Sequence, residues 1–375
     1  MGAYIRPNAV TAPRNLAQMI AGPYRVPNVR MDVHMMLTNK TPSASYRGPG
    51  RFEADFFRER LMDIAAGELG IGRVAFRRRN LVGKTQMPYT LASVQPYGGS
   101  GQFDSGDYLE TLDRCLNEIG WPEKSALQGC LIDGRYHGVA VGCYVEGGAS
   151  GPKEVARLKL AQDGGVSVHT GSSALGQGLE TAFAQIAADA LGVAMERITG
   201  VHHGSTREVS EGFGSYASRA TVMGGCALLN AADNLKLAIR RAAAAQFACD
   251  ERAVEITPGL QEVVADGKRR GVAELSAEGF EAEGEFRNSK RTYSYGTHAA
   301  HVAVDAQTGQ VEVLDYVAVE DVGRIINPET LRAQVAGAIV QGLGGALMER
   351  ITYGVDGQLL TGSLADYAMP MAVSY

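Results

Sequence analysis

Cysteine is scarce in this chain: Cys115, Cys130, Cys143, Cys226 and Cys249 are all there are. They are odd in number, widely spaced and never arranged as C-x-x-C. That argues against a disulfide framework, a zinc site or an iron–sulfur cluster on this chain, and a reducing cytoplasm fits the thiols. Long apolar runs are also missing. No segment has the ~18–20 unbroken apolar residues that a membrane-spanning helix needs. The first residues, Met1-Gly-Ala-Tyr-Ile-Arg-Pro7, lack the apolar core of a signal peptide. The expected location is the cytoplasm, and a periplasmic one through a partner's signal is compatible with this. Excess positive charge is lacking as well. A net charge of −5 gives no electrostatic case for nucleic acid or an anionic membrane surface.

What is present is an ordinary globular composition, 45% hydrophobic and 21% charged, over 375 residues. That length is too great for one small core and implies two or more domains. The 47 glycines lie between apolar periodic segments, which points to tight turns and close backbone approaches, not to disorder.

One glycine-rich stretch stands out, Gly171-Ser-Ser-Ala-Leu-Gly-Gln-Gly-Leu-Glu-Thr181. A β-prone run, 166–170, leads into it and a helix-prone run, 181–191, leads out. Glycines let a backbone approach a ligand closely, and the free N–H groups of a helix start attract anions. The stretch reads either as a loop for a phosphate or anionic cofactor or as an ordinary strand-to-helix turn. It has neither the Lys-Ser/Thr of a Walker loop nor the spacing of a dinucleotide fingerprint, so a nucleotide-phosphate enzyme is disfavoured.

Along the chain, residues 1–40 read as extended, with strands over 24–30 and 33–37. A turn-rich loop, 45–51, precedes a strong helix over 52–69. There Phe56, Phe57, Leu61, Ile64 and Ala65 share one apolar face, and Gly70 is the C-cap. A short helix within 72–82 carries Arg77, Arg78 and Arg79, read as a solvated helix C-terminus. Residues 83–106 read as a linker, 108–119 as a helix, and 138–145 and 155–160 as strands, with a hairpin turn at Asp163-Gly-Gly165. A strand is expected over 198–203, a polar loop over 204–219 and a long helix over 220–247. Short strands follow over 254–269 and 280–287, then a hairpin of 299–305 with 311–319. The helix expected over 329–349 contains Gly337, Gly342, Gly344 and Gly345, a pattern that calls for close packing. Residues 361–370 read as strand-like. Few βαβ units are visible, so the fold class is α+β.

Four segments, in order, resemble one family: Ala44-Ser-Tyr-Arg-Gly-Pro-Gly-Arg-Phe-Glu-Ala54, Gly171 to Thr181, Gly214-Ser-Tyr-Ala-Ser-Arg219, and Asp321-Val-Gly-Arg-Ile-Ile-Asn-Pro328 with Gln341-Gly-Leu-Gly344. The family is the molybdenum hydroxylases: xanthine dehydrogenase, aldehyde oxidase and the large subunit of aerobic carbon monoxide dehydrogenase. The resemblance runs over essentially the whole chain. It implies the molybdenum-cofactor-binding domains of that family, incomplete at both ends, with 1–95 the end of the first and 96–375 most of the second.

The resemblance further implies a molybdopterin cofactor with molybdenum, often the cytosine dinucleotide form in bacteria. The activity implied is oxidation of an aldehyde or N-heterocycle with oxygen from water. Electrons would leave through iron–sulfur clusters and FAD on partner subunits. By the same resemblance Gly176, Gln177 and Gly178 approach the pterin, Arg47 and Gly48 cover the molybdenum, and Gln341 adjoins the cofactor. Gly214, Ser215, Tyr216, Ala217 and Ser218 line the substrate end. Gly48 stands where the copper-binding cysteine of carbon monoxide dehydrogenase would be, so the copper-free members are the better match. No protein residue is expected as a metal ligand.

The family's base glutamate lies in a Gly-Val-Gly-Glu-like motif downstream of the segment matched by Asp366-Tyr-Ala-Met-Pro370, and these 375 residues do not contain it. No catalytic residue is therefore assigned. The chain is expected to be a piece of a large subunit, or one half of a split one, inactive alone and completed by the remainder. The alternative is a non-catalytic remnant or assembly module. Glu180, Glu208 and Glu211 are read as helix-dipole or solvated carboxylates. His202 and His203 are read as structural, because neighbours on a strand face opposite ways. Cys226 is read as a small core residue.

Overall fold

The computed structural model describes residues 1–6, 8–91, 101–372 and 374. The chain forms two compact units, each discontinuous in sequence. One comprises 1–146, 293–323 and 335–375, the other 147–292 and 324–334. The expected domain boundary at 95/96 lies outside the described residues.

In the first unit, helices α1 (Thr11–Met19), α2 (Arg51–Glu68), α3 (Arg73–Asn80) and α4 (Tyr108–Ile119) accompany strands β1 (Arg135–Gly148), β6 (Thr292–Asp305) and β7 (Val311–Asp321). The sheet order is β7, β6, β1 and a two-residue strand at Leu131–Ile132. β6 and β7 form the expected antiparallel hairpin, pairing Ala299 with Val317. α4 falls where its apolar spacing puts it. The Asp107 carboxylate accepts from the Glu110 N–H at its start, and Gly120 (φ +67°) ends it. Its buried face of Leu112, Cys115, Leu116 and Ile119 joins Tyr24, Leu81, Phe103, Val141 and Tyr295 in one core.

Four sequence expectations fail in this unit's first 80 residues. Residues 11–19 are a helix, not extended chain. No side chain caps α1; tertiary contacts hold it, with the Asn15 amide donating to Pro49 O at 2.9 Å. Residues 24–30 and 33–37 form no strand, and Tyr24 makes only a single bridge to Leu81. α2 is the third. Its apolar face points outward, with Phe56 68%, Leu61 61% and Ile64 43% exposed, and its buried residues are Arg51, Ala54, Arg58 and Ala66.

The charged side of α2 faces inward because a guanidinium from α3 meets it. Arg77 is the fourth, fully buried and not solvated. Its Nε donates to Glu59 Oε2 at 2.8 Å and its Nη1 to Asp63 Oδ1 at 2.6 Å. The Tyr24 hydroxyl donates to the same Glu59 oxygen at 3.0 Å, and Arg58 Nη2 donates to Cys143 O at 3.0 Å.

The second unit is a four-stranded sheet in the order β5 (Phe280–Arg287), β2 (Lys153–Leu160), β3 (Val166–Thr170), β4 (Ile198–His203). β2 and β3 are antiparallel across the turn at Asp163, whose carboxylate accepts from the Gly165 N–H at 2.8 Å. β3 and β4 are parallel, pairing His169 with His202, and α5 (Leu179–Leu191) connects them. α6 (Gly225–Phe247) continues from a wider turn over Ala220–Gly224 and packs on the sheet. Gly284 of β5 permits that packing, since a Cβ there would lie 2.1 Å from Ala231 N. Leu158, Val168, Phe183, Leu228 and Leu235 lie in the core between.

α7 (Pro328–Leu347) fills most of the expected 329–349 helix. Of its four glycines only Gly344 meets a close neighbour, Pro370 at 2.5 Å from a built Cβ; Gly337, Gly342 and Gly345 have open space. Residues 361–370 form turns instead of a strand. Among the described residues no helix is long and apolar enough to cross a membrane.

Candidate cofactor-binding loops

The loop between β3 and α5 takes its shape from two glycines in left-handed conformation, Gly176 (φ +96°) and Gly178 (φ +78°). L side chains rarely adopt that conformation. Gly178 is also crowded, a built Cβ lying 3.0 Å from Thr330 Cγ2, while Gly176 faces open space. The Gln177 side chain folds back on its own loop: its Oε1 accepts from the Leu175 N–H and its Nε2 donates to Ser173 O at 3.0 Å. No side chain caps α5, whose N-cap is Gly178. The first-turn N–H groups of that helix therefore lack a capping partner, which suits an anion.

A second loop locks onto this one. The Gly214 N–H donates to Gly171 O at 3.1 Å. The Ser215 hydroxyl accepts from the Ser173 N–H at 3.1 Å and donates to Ser173 O at 2.7 Å. Gly171 and Gly212 are in backbone contact, since a Cβ built on Gly171 would lie 2.4 Å from Gly212 Cα. So the structure joins Gly171–Gly178 to Gly214–Ser218, two stretches ~40 residues apart in sequence. Tyr216, Ala217 and Ser218 are exposed, and Ala217 (φ +47°) and Ser218 (φ +50°) are left-handed without being glycine. Sequence reading missed the group beneath. Glu154 and Arg219 form an ion pair whose side chains are both fully buried. Glu154 stands in register with Ala156, Leu158 and Leu160 on the buried face of β2, and its pairing with Arg219 across the fold is what satisfies it there.

The rest of the 204–219 loop is strapped to the sheet by charge. Glu208 binds Lys159 at 2.5 Å, Glu211 binds Lys153, and the Ser210 hydroxyl donates to Glu283 Oε1 at 2.8 Å. His202 and His203 do face different neighbours. His202 stacks on His169 at 4.9 Å, while His203 Nε2 lies 3.3 Å from Glu180 Oε1. Among the described residues no group of three or more His, Cys, Asp or Glu is placed to hold a metal.

His169 is buried, with Nε2 3.0 Å from Ser167 Oγ and Nδ1 3.9 Å from Glu208 Oε2. Its pKa is lowered, first by burial; Glu208 opposes this, and His202, Lys159 and Arg157 reinforce it. Unfolded, a histidine titrates near ~6.5. Between the two values the unfolded chain binds more protons, so stability is lost as pH falls below ~6.5. His301 on the first unit shifts the same way. The thermal midpoint should therefore drop between pH 7 and 5, and His169→Gln should flatten that slope. An unchanged slope in the variant would remove His169 as a cause.

In the first unit, Arg47 and Gln341 meet: Arg47 Nη1 donates to Gln341 Oε1 at 3.3 Å. Gly48 (φ +66°) and Gly50 (φ +80°) bend the loop into α2, and a Cβ at Gly50 would lie 1.9 Å from Ala12 O. The Tyr46 and Tyr367 hydroxyls both donate to Glu349 Oε2, at 2.9 and 2.5 Å. Thus three of the six expected cofactor residues, Arg47, Gly48 and Gln341, gather here, and the other three share the α5 loop. Two open clefts of about 560 and 350 Å³ in the second unit contain none of the candidate residues.

Among the described residues, the candidate positions are a glycine loop with an uncapped helix start in the second unit and an arginine–glutamine pair in the first, a kind of surface that suits an anionic cofactor. The family models for the molybdopterin cofactor-binding domain match residues 1–81 and 114–374. The chain is 36% identical to the 6-hydroxypseudooxynicotine dehydrogenase complex subunit gamma of Paenarthrobacter nicotinovorans, over 99% of this chain and 48% of that protein. It is 27% identical to the carbon monoxide dehydrogenase large chain of Hydrogenophaga pseudoflava, over 96% and 48%. The structure of quinoline 2-oxidoreductase from Pseudomonas putida 86 superposes with a TM-score of 0.86 at 30% identity, covering 99% of this chain and 50% of that one. The chain belongs to the molybdenum hydroxylase family. It spans about half the length of the curated relatives it matches.

Proposed function

We propose that these 375 residues are the molybdopterin-binding part of a hydroxylase that oxidises an N-heterocycle with water-derived oxygen; an aldehyde is the second substrate class. The carrying observation is the clasp between the glycine loop before α5 and the Gly214–Ser218 loop. It brings an uncapped helix start beside a polar, strained, exposed loop. The likeness to quinoline 2-oxidoreductase supports the N-heterocycle. Bound molybdopterin would supply molybdenum as a two-electron acceptor for the oxidation.

The chain's own residues bind and orient. Gly176 and Gly178 keep the loop open to a phosphate and Gln177 holds its curvature; Arg47, Gly48 and Gln341 are, by the family resemblance, cofactor residues of the first unit. Gly214 to Ser218 face substrate. Glu180, Glu208 and Glu211 are each paired with a histidine or a lysine, so none of them is assigned as a base. The 375 residues alone are inactive, and iron–sulfur and FAD partner chains carry the electrons away.

The test is to purify the chain with its co-purifying partners, measure molybdenum and pterin, and assay dye reduction with quinoline and with benzaldehyde in ¹⁸O-labelled water. Near-stoichiometric molybdenum with labelled hydroxyquinoline supports the reading. Labelled benzoate alone moves the substrate to aldehydes. Turnover by a molybdenum-free complex overturns it.

A further inference from the structure

The buried Glu154–Arg219 pair lies beneath both loops of the second unit, and its partners come from three separate stretches. Arg219 Nε donates to Ser150 O at 2.8 Å, Nη2 to Lys153 O at 2.6 Å, and Nη1 to Gly214 O at 3.0 Å as well as to Glu154 Oε2. Phe213 and Tyr216 flank the guanidinium, ring centroids 5.4 and 5.5 Å away. Glu154 Oε2 also accepts from the Ser172 hydroxyl at 3.3 Å, and Oε1 from the Val155 N–H at 3.2 Å. One ion pair thus grips the glycine loop at Ser172, the substrate-side loop at Gly214 and the start of β2.

The backbone above needs such a grip. Ala217 and Ser218 hold left-handed conformations that persist only where the surroundings over-determine them. Arg219 anchors the chain directly after them, and the Ser215–Ser173 clasp anchors it before. A buried ion pair is a poor source of net stability, because desolvation offsets its attraction; well-packed apolar replacements of both partners often cost nothing. Its worth lies in direction: a planar fork reaching four acceptors at once fixes an angle as well as a distance.

We infer that Glu154 and Arg219 are the positioning residues of this site, setting the register of the Gly214–Ser218 loop on the Gly171–Gly178 loop. The inference rests on the proposed function only in calling those loops the cofactor and substrate sides. Three variants of the full chain, purified with its partners, test it: Glu154→Gln, Arg219→Lys, and the double Glu154→Leu, Arg219→Met. Each is read by thermal midpoint, by amide hydrogen exchange over residues 171–178 and 212–219, and by molybdenum per chain.

The expected result is a split. The apolar double variant regains the midpoint that the single variants lose, yet the Gly214 and Ser173 amides exchange about tenfold faster in all three. Molybdenum content follows the amides, not the midpoint. If the double variant restores amide protection together with the midpoint, or if Arg219→Lys leaves both amides at wild-type protection, the pair is structural and the inference falls. A wild-type preparation that lacks molybdenum while the amides behave as stated overturns the functional reading and supports the positioning role.

Discussion

Arg77→Met is expected to cost about 3 kcal/mol, the low end of the range for breaking a buried ion pair. The guanidinium is fully buried and donates to the Glu59 and Asp63 carboxylates and to two carbonyls, Glu59 O at 3.1 Å and Arg73 O at 3.3 Å. Methionine fills much of the volume but leaves those acceptors without their donor, and an orphaned buried carboxylate is the expensive part. Glu59 and Asp63 keep 15% and 17% side-chain exposure, which places the cost at the low end. Arg58 softens the loss at Glu59, its Nε lying 3.2 Å from Oε1. Arg77→Lys should fall between, because an ammonium cannot serve two carboxylates and two carbonyls in one plane. Tyr24→Phe should cost only about 1 kcal/mol, one hydrogen bond of the same cluster. Denaturant unfolding followed by tyrosine absorbance ranks the three. A loss at Arg77 no larger than that at Tyr24 would show the cluster to be an exposed network.

The same cluster marks where sequence reading stops. α4 was legible because its signals are local: an acidic N-cap, apolar residues at helical spacing and a glycine at the end. The β3–loop–α5 stretch was legible for the same reason, and so was the β6–β7 hairpin. α2 was legible as a helix but its orientation was not. Its phenylalanines suggest an inward apolar face, yet Arg58, Glu59 and Asp63 turn inward because Arg77, on another helix, satisfies two of them. No periodicity within α2 contains that information. α1 lacks a side-chain cap, and although Arg14 and Leu16 to Met19 are good helix formers, its nine residues are short and are held by contacts with the 49–50 bend. At the candidate site, glycines and order of motifs pointed to the loops, since a left-handed bend requires particular residues. Glu154 shares the Ala156–Leu158–Leu160 face of β2, so period two places it inward, but nothing near it in sequence names Arg219 as its partner. Gln177 shows the reverse: the motif suggests a contact to a cofactor, whereas in the structure its amide is engaged within its own loop.

Gly171→Ala should abolish cofactor retention while leaving the unit folded. A Cβ at this position would lie 2.4 Å from Gly212 Cα, 2.6 Å from Glu154 Oε1 and 3.0 Å from Glu211 O. Two of those atoms are backbone, and the third is an oxygen fixed in a buried ion pair, so no flexible side chain can yield. Gly212 is already glycine, and a Cβ there would in turn lie 2.6 Å from Gly171 Cα, so no large-to-small change opposite can relieve the clash. The loops must separate, and separation breaks the Gly214-to-Gly171 and Ser215–Ser173 bonds. The core built on Leu158, Val168 and Leu235 contains neither Gly171 nor Gly212, so the unit stays folded. The stability loss should be about 1–3 kcal/mol, whereas molybdenum per chain should fall by at least about tenfold, the consequence of losing ~1.4 kcal/mol or more of binding. Gly192→Ala, at the C-terminal end of α5, is the control. A Cβ there meets open space, so only its φ of +70° is strained and the loops stay clasped. If Gly171→Ala retains molybdenum at the wild-type level, close approach of the two loops is not what holds the cofactor. If both variants lose it equally, the glycine requirement is conformational at each position and the contact between loops carries no special weight.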